Sequence, residues 1–103
     1  YHKKLVKELN FKIENSKEPV YLFGAHIFAT YLFSFGLSKN IDGILDNSKL
    51  KQNRRLYGTN FIVSSPKVLK ELNSVNVILK AGLYNEEIKK DINKNINPNV
   101  IFW

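Results

Sequence analysis

The sequence predicts a single α/β domain in which helices cover both faces of a parallel sheet. An apolar run at residues 20–23 is followed by Gly24 and then by an apolar helix pattern. Four apolar residues in a row are typical of a strand buried on both faces, and glycine suits the sharp turn after it. Short apolar runs and helical patterns also alternate along the rest of the chain, which requires parallel strands joined by right-handed crossovers. Together these features predict a Rossmann-like, three-layer α/β/α fold with a parallel sheet of about five strands, formed by residues 1–103.

An amphipathic helix is predicted at the start of the chain. Leu5, Leu9 and Ile13 recur every four residues, which predicts a helix over residues 3–15 with one apolar stripe. The chain begins with Tyr1, and we expect it to be a piece of a longer protein. Residues 1–16 would then connect the core to a preceding domain.

Turn and cap residues divide the rest of the chain. Gly36 suits the end of a helix, Ser65-Pro66 suits the start of one, and Asn97-Pro98 ends the last helix. Residues 47–60 show no apolar period and are predicted to form a long loop, which is uncommon in compact domains unless the loop has a function. The predicted strands are residues 20–23, 41–45, 61–63, 75–79 and 100–103, and the further helices are residues 27–35, 67–72 and 84–95.

Composition excludes several kinds of protein and site. The 103 residues contain no cysteine and two histidines, so disulfides, thiol catalysis and a zinc site are not expected. No apolar run is long enough to cross a bilayer and no signal-peptide core is present, so we expect a cytoplasmic protein with no membrane partner. The formal charge of +7 comes from scattered lysines, without a basic helix or interleaved aromatic residues, and nucleic acid is therefore not an expected partner. The one local concentration of charge is the basic run at residues 49–55.

The turn after the first strand is the first candidate ligand site. Parallel α/β sheets bind ligands outside the carboxyl ends of their strands, where helix N-termini offer N–H groups to anions. Gly24 matches the first glycine of the dinucleotide fingerprint, but His26 stands at the second glycine position, so tight NAD binding is not expected. Asp46 follows Gly24 at close to the spacing of about 20 residues at which such folds place a carboxylate for ribose hydroxyls. Both residues also have simpler interpretations as turn formers.

No catalytic set is apparent in the sequence. Neither a Ser-His-Asp order nor paired carboxylates nor a metal-binding cluster can be recognised. His26, with an apolar helix directly after it, is better explained as a turn residue than as a general base. We therefore expect the isolated chain to be inactive.

Several short motifs occur in an order that is similar to the order in a known protein family. They are Phe23-Gly24-Ala25, Asp46 followed by Lys51-Gln52, Gly58-Thr59, Val63-Ser64-Ser65-Pro66 and Glu87-Ile88. Over nearly its whole length, the chain resembles the C-terminal domain of bacterial sugar C-methyltransferases, which methylate deoxysugars carried on a nucleotide diphosphate. The resemblance implies a Rossmann-like domain without catalytic groups or a cofactor of its own. It also implies a preceding domain that binds S-adenosylmethionine, and a nucleotide-diphosphate sugar as the ligand.

Three functional hypotheses follow. The first is a non-catalytic or substrate-cleft domain of a sugar-nucleotide methyltransferase in deoxysugar or surface-glycan biosynthesis. The second is a stand-alone module that binds a nucleotide or nucleotide-sugar, like those attached to other polysaccharide methyltransferases or sugar acyltransferases. The third is a structural interaction domain. For a nucleotide-sugar, the expected contacts are Gly24, Ala25, His26, Asp46, Lys51, Arg54 and Gly82.

Overall fold

Helices and parallel strands alternate along the chain as the sequence predicts. The computed structural model describes residues 2–24, 27–56, 58–80 and 82–103. In these ranges the α-helices are α1 (His2–Asn15), α2 (Ile27–Ser34) and α3 (Asn85–Asn95), with 3₁₀ segments at Pro66–Glu71 and Gly82–Tyr84. The strands are β1 (Val20–Phe23), β2 (Gly43–Leu45), β3 (Val63–Ser64), β4 (Val75–Leu79) and β5 (Val100–Phe102).

The five strands form one parallel sheet in the order β3-β2-β1-β4-β5. At its centre, Leu22 of β1 is in register with Ile44 of β2 on one side and with Ile78 of β4 on the other. The chain thus moves outward from β1 to β3 and then returns to the other side of β1 for β4, which is the arrangement of a Rossmann-like sheet. The predicted fold class is confirmed.

Two apolar clusters cover the two faces of the sheet. Successive strand side chains point to opposite faces, so Leu22 joins the cluster under α1 and α2, whereas Phe23 joins the cluster under the 3₁₀ helix Pro66–Glu71 and α3. Helix α1 buries its whole predicted stripe except Leu5, which is half-buried against the same cluster. It is therefore part of the core of this unit. From Lys3 to Asn15, the buried residues of α1 are Val6, Leu9 and Ile13.

Glycine ends α2 through a Schellman motif. The N–H of Leu37 donates to the carbonyl of Leu32 and the N–H of Gly36 donates to the carbonyl of Phe33, both at 3.0 Å. Gly36 has a φ of 96°, which L-residues rarely adopt, and this conformation turns the chain back toward the core. Leu32 and Leu37 are both buried in the same cluster, so the apolar contact that accompanies this motif is present too.

Several boundaries differ from the sequence prediction. The helix expected at residues 67–72 is a 3₁₀ helix, Pro66–Glu71, although its serine cap is confirmed, since the Ser65 hydroxyl accepts from the N–H of Lys67 at 3.2 Å. The strand expected at 61–63 begins later, at Val63. The strand expected at 41–45 begins at Gly43, because Asp42 instead exchanges hydrogen bonds with Val20 through both its backbone N–H and its carboxylate.

The loop at residues 47–60 lies along the outer edge of β3. Its second half pairs with the chain around β3 in antiparallel fashion: Asn53 donates to the carbonyl of Val63, and Val63 donates back to that of Arg54. Leu56 is buried, and the Thr59 hydroxyl donates to its carbonyl at 2.9 Å. The loop therefore covers an edge strand that would otherwise expose unpaired backbone groups. The sequence prediction missed this pairing because the segment shows no apolar period.

Ionisation of Tyr21 is expected to destabilise the fold at high pH. Burial, and to a lesser degree the nearby Asp42 carboxylate, raise the pKa of Tyr21 above its ordinary value. The unfolded chain then loses the phenolic proton at a lower pH than the folded chain does. The neutral Tyr21 side chain therefore contributes fully to the stability of the fold below a pH of about 10. This contribution is lost as the pH rises through the folded-state pKa of Tyr21.

Urea unfolding at about pH 8 and about pH 11 measures this effect. We expect Tyr21→Phe to lose less stability between the two pH values than the natural chain does. Tyr84→Phe, at a tyrosine that is 65% exposed, is the matched control. An equal loss of stability in the natural chain and in Tyr21→Phe would contradict the prediction.

Candidate ligand crevice at the carboxyl edge of the sheet

The strand order places the expected ligand crevice between β1 and β4. The crossover from β1 to β2 passes through α2 on the α1/α2 face, and the crossovers from β3 to β5 lie on the face covered by α3. Connections that leave in opposite directions open a crevice at the carboxyl ends of the two central strands. Gly24 follows β1 at this point, and Lys80 follows β4.

Gly24 is held in a conformation that glycine alone adopts readily. Its φ is 106°, it is buried, and its N–H donates to the carbonyl of Leu45 at 2.7 Å. This bond continues the pairing of β1 with β2 by one residue, and the positive φ then turns the backbone toward the start of α2 at Ile27. The predicted contacts Ala25 and His26 lie outside the described residues.

Asp46 lies on the neighbouring strand end and organises the loop that follows it. Its carboxylate accepts from the N–H of Ser48 at 2.8 Å, its carbonyl accepts from the Gln52 side-chain amide at 2.8 Å, and its N–H donates to Ser64. Asp46 therefore forms a turn with Ser48, as its simpler interpretation predicts. Because Gly24 is bonded to Leu45, Asp46 still lies on the strand end directly beside Gly24.

Arg54 lies at the outer edge of the sheet, away from the crevice, whereas Lys51 lies in the turn that follows Asp46. Between Gly24 and the backbone of residues 53–54 come β2, β3 and the antiparallel pairing at the outer edge, which amount to three strand spacings or about 14 Å. Both side chains are exposed. The structure thus brings Gly24 and Asp46 together but keeps Arg54 away from Gly24.

Gly82 lies on the opposite side of the crevice, after β4. It has a φ of 65° and begins the 3₁₀ segment Gly82–Tyr84 that leads into α3. Leu83 is 97% exposed and Tyr84 is 65% exposed, so this turn presents apolar surface to solvent. The sequence prediction missed this surface, although Leu83 directly follows a turn glycine and falls outside the four-residue spacing of Ile88 and Ile92.

Lys80 is a cation at the crevice that the sequence prediction also missed. Phe23 of β1 is in register with Leu79 of β4, so Lys80 lies beside Gly24 at the same edge of the sheet. It is half-buried, in contrast to Lys51 and Arg54. A charged residue directly after a fully buried strand was the available signal, because such a residue stands at the carboxyl edge of a parallel sheet.

Within the described ranges, no cluster of three or more His, Cys, Asp or Glu side chains could hold a metal ion. None of the helices in those ranges is both long and apolar enough to cross a bilayer. Comparisons with protein-family profiles, curated proteins and solved structures found no match to this chain.

Proposed function

We propose that the chain is a nucleotide-sugar-binding domain that forms one wall of the substrate cleft of a sugar methyltransferase and carries out no chemistry itself. The observation that carries the binding role is the Gly24 turn, with its φ of 106°, at the crevice between β1 and β4. The methyltransferase setting rests on the sequence resemblance. S-adenosylmethionine would then bind to a preceding domain.

The diphosphate is the part of the ligand that this crevice suits best. N–H groups in the first turn of α2, which begins at Ile27, would donate to phosphate oxygens, and Lys80 would supply positive charge from the neighbouring strand. Asp46 would accept from a hydroxyl at the β2 side, in addition to the bond that it receives from Ser48. The exposed Leu83 and Tyr84 would contact an apolar part of the ligand.

Lys51 and Arg54 have a lesser role in this proposal. Arg54 is separated from Gly24 by β2 and β3, which limits it to the outer part of a long ligand, and both side chains are solvent-exposed. Replacing either by alanine should weaken binding by at most about 1 kcal/mol, and salt should reduce the loss further.

Amide NMR during titration with UDP-glucose and dTDP-glucose tests the binding role. We expect shifts to concentrate at Gly24, Asp46 and Gly82, with none on addition of S-adenosylmethionine. Lys80→Ala should weaken binding on the order of five-fold, or about 1 kcal/mol. Lys17→Ala makes the same change just before Pro19, at the opposite edge of the sheet, and should leave the affinity unchanged.

Two results would contradict the proposal. Shifts confined to the amino ends of the strands, or no shifts at millimolar ligand, would leave this unit a structural interaction domain. Micromolar binding of S-adenosylmethionine to the chain alone would overturn the division of roles between the two domains.

A further inference from the structure

A second polar groove lies on the α3 face of the molecule, next to the end of β2, and its lining does not include Gly24, Lys80 or Gly82. It has a volume of about 430 Å³, and its walls come from three separate segments: the start of the loop after β2, the 3₁₀ helix Pro66–Glu71 and the C-terminal half of α3. Lys49, Lys67 and Lys70 line it. We call it the basic groove. Its volume falls within the range of about 300–1,000 Å³ that is usual for small-molecule sites.

The geometry of the 3₁₀ helix explains why two of these lysines face the same space. A 3₁₀ helix has three residues per turn, so side chains at positions i and i+3 eclipse one another. Lys67 and Lys70 are three residues apart on this helix and therefore project from the same side. Lys49 reaches the groove from the loop after β2.

The positive charge of the groove is not neutralised by the protein. Asp91 is the acidic residue in its lining, and the Asp91 carboxylate already accepts from the Asn95 amide at 2.7 Å. Across the described part of the chain, none of the three lysines has a carboxylate within ion-pair distance; the pair found there is Lys89–Glu86, on the far side of α3. All three lysine side chains are exposed and none of them packs in the core, so the fold does not require lysine at these positions.

Hydrogen-bond donors accompany the charge. The Ser65 hydroxyl accepts from the N–H of Lys67, which leaves its own hydrogen available to a ligand. The amide groups of Asn47 and Asn95 also line the space. Three ammonium groups with neutral donors between them complement a ligand that carries several negative charges close together.

A second lysine-rich patch shows what distinguishes this groove. Lys89, Lys90 and Lys94 line a surface depression, but every residue around that depression belongs to α3. Lys89 is also within 3.7 Å of the Glu86 carboxylate. That patch is a single helix surface with internal pairing, whereas the basic groove is enclosed from three directions and unpaired.

We propose that the basic groove binds a small polyanion that carries adjacent phosphate groups, of the diphosphate class. The ligand would lie across Lys67 and Lys70, with Lys49 closing over it from the loop. This site has no lining residue in common with the Gly24 crevice and does not depend on the proposed function. A nucleoside diphosphate and free inorganic diphosphate share the chemistry that the lysines recognise.

Titration of the chain with inorganic diphosphate at low ionic strength, followed by amide NMR, tests the proposal. We expect shifts at Ser65, Lys67 and Lys70. The double variant Lys67→Ala/Lys70→Ala should lose at least ten-fold in affinity, while Lys90→Ala/Lys94→Ala removes the same two charges from the other patch and should change the affinity less than two-fold. A parallel titration with UDP separates the two sources, because a ten-fold tighter affinity for UDP would indicate that the nucleoside is also recognised.

Three outcomes would overturn the inference. Equal losses in the two double variants would mean that net charge alone attracts the anion. Shifts at Gly24 without shifts at Ser65 to Lys70 would assign the diphosphate to the crevice alone and leave the proposed function intact. Binding of single-stranded RNA through these lysines, with no response to diphosphate or UDP, would make the groove part of a nucleic-acid surface. Loss of affinity in Lys80→Ala concerns the crevice only, so the two proposals fail separately.

Discussion

Replacing Gly24 by valine is expected to cost at least about 3 kcal/mol of folding stability. The φ of Gly24 is 106°, well outside the left-handed region near +60° that other residues occasionally adopt. A β-branched side chain is the least able to adopt such a backbone, and the position is buried, so the new side chain would also need space in a packed region. Relaxing the backbone would break the 2.7 Å bond from Gly24 to the carbonyl of Leu45. Urea unfolding monitored by circular dichroism measures the loss.

The same substitution at Gly82 is the control. Gly82 has a φ of 65°, inside the left-handed region, and a side chain added there would meet no atom within 4 Å. Gly82→Val should therefore cost only about 1–2 kcal/mol, from backbone strain alone. If Gly24→Val were no more destabilising than Gly82→Val, the backbone at the end of β1 would not be constrained as described.

Replacing Asn97 by alanine is expected to destabilise the fold by about 2–4 kcal/mol. Asn97 is 3% exposed, and its amide donates to the carbonyls of Leu69 and Leu72, each at 2.8 Å. Its side-chain oxygen accepts from the N–H of Asn99 at 2.8 Å. Alanine would remove all three bonds, of which the one to Leu69 is buried and the other two are partly buried, and an unsatisfied buried group costs about 1–3 kcal/mol.

Asn99→Ala provides the matched comparison, because it makes the same change two residues away at an exposed position. It keeps the backbone N–H that Asn97 binds and should cost less than about 0.5 kcal/mol. Equal unfolding midpoints for the natural chain and Asn97→Ala would show that water or other groups replace the three bonds. Because Asn97 holds the end of the 3₁₀ helix against the turn after α3, its loss should also weaken diphosphate binding in the basic groove.

Local patterns along the chain were sufficient to predict the fold class. Four-residue spacing of Leu5, Leu9 and Ile13 predicted α1, and the continuous apolar run before Gly24 predicted a strand buried on both faces. Alternation of helices and strands then predicted parallel pairing of the strands, since a crossover helix returns the chain to the same end of the sheet. These features are properties of neighbouring residues, which is why sequence alone carries them.

Boundaries were less predictable where hydrogen bonds with distant residues decide them. Asp42 lies in an apolar run that resembles a strand, yet its carboxylate accepts from the N–H of Val20, so β2 starts at Gly43, two residues later than predicted. Asn97 looks like a residue that simply precedes a helix-breaking proline. Its role as a link between α3 and the 3₁₀ helix depends on Leu69 and Leu72, which precede it by more than twenty residues.

The residues grouped at each candidate site were decided by the tertiary structure. Gly24 and Asp46 were predicted together, because both end strands and the carboxyl ends of parallel strands lie at one edge. Arg54 was predicted at the crevice and Lys80 was not, but β4 pairs with β1 and places Lys80 beside Gly24, whereas β2 and β3 separate Arg54 from it. Lys67 and Lys70 project from one side of a 3₁₀ helix, and the loop after β2 brings Lys49 to the same groove. Strand order and helix type depend on the packing of the whole chain, so no local pattern determines which distant side chains become neighbours.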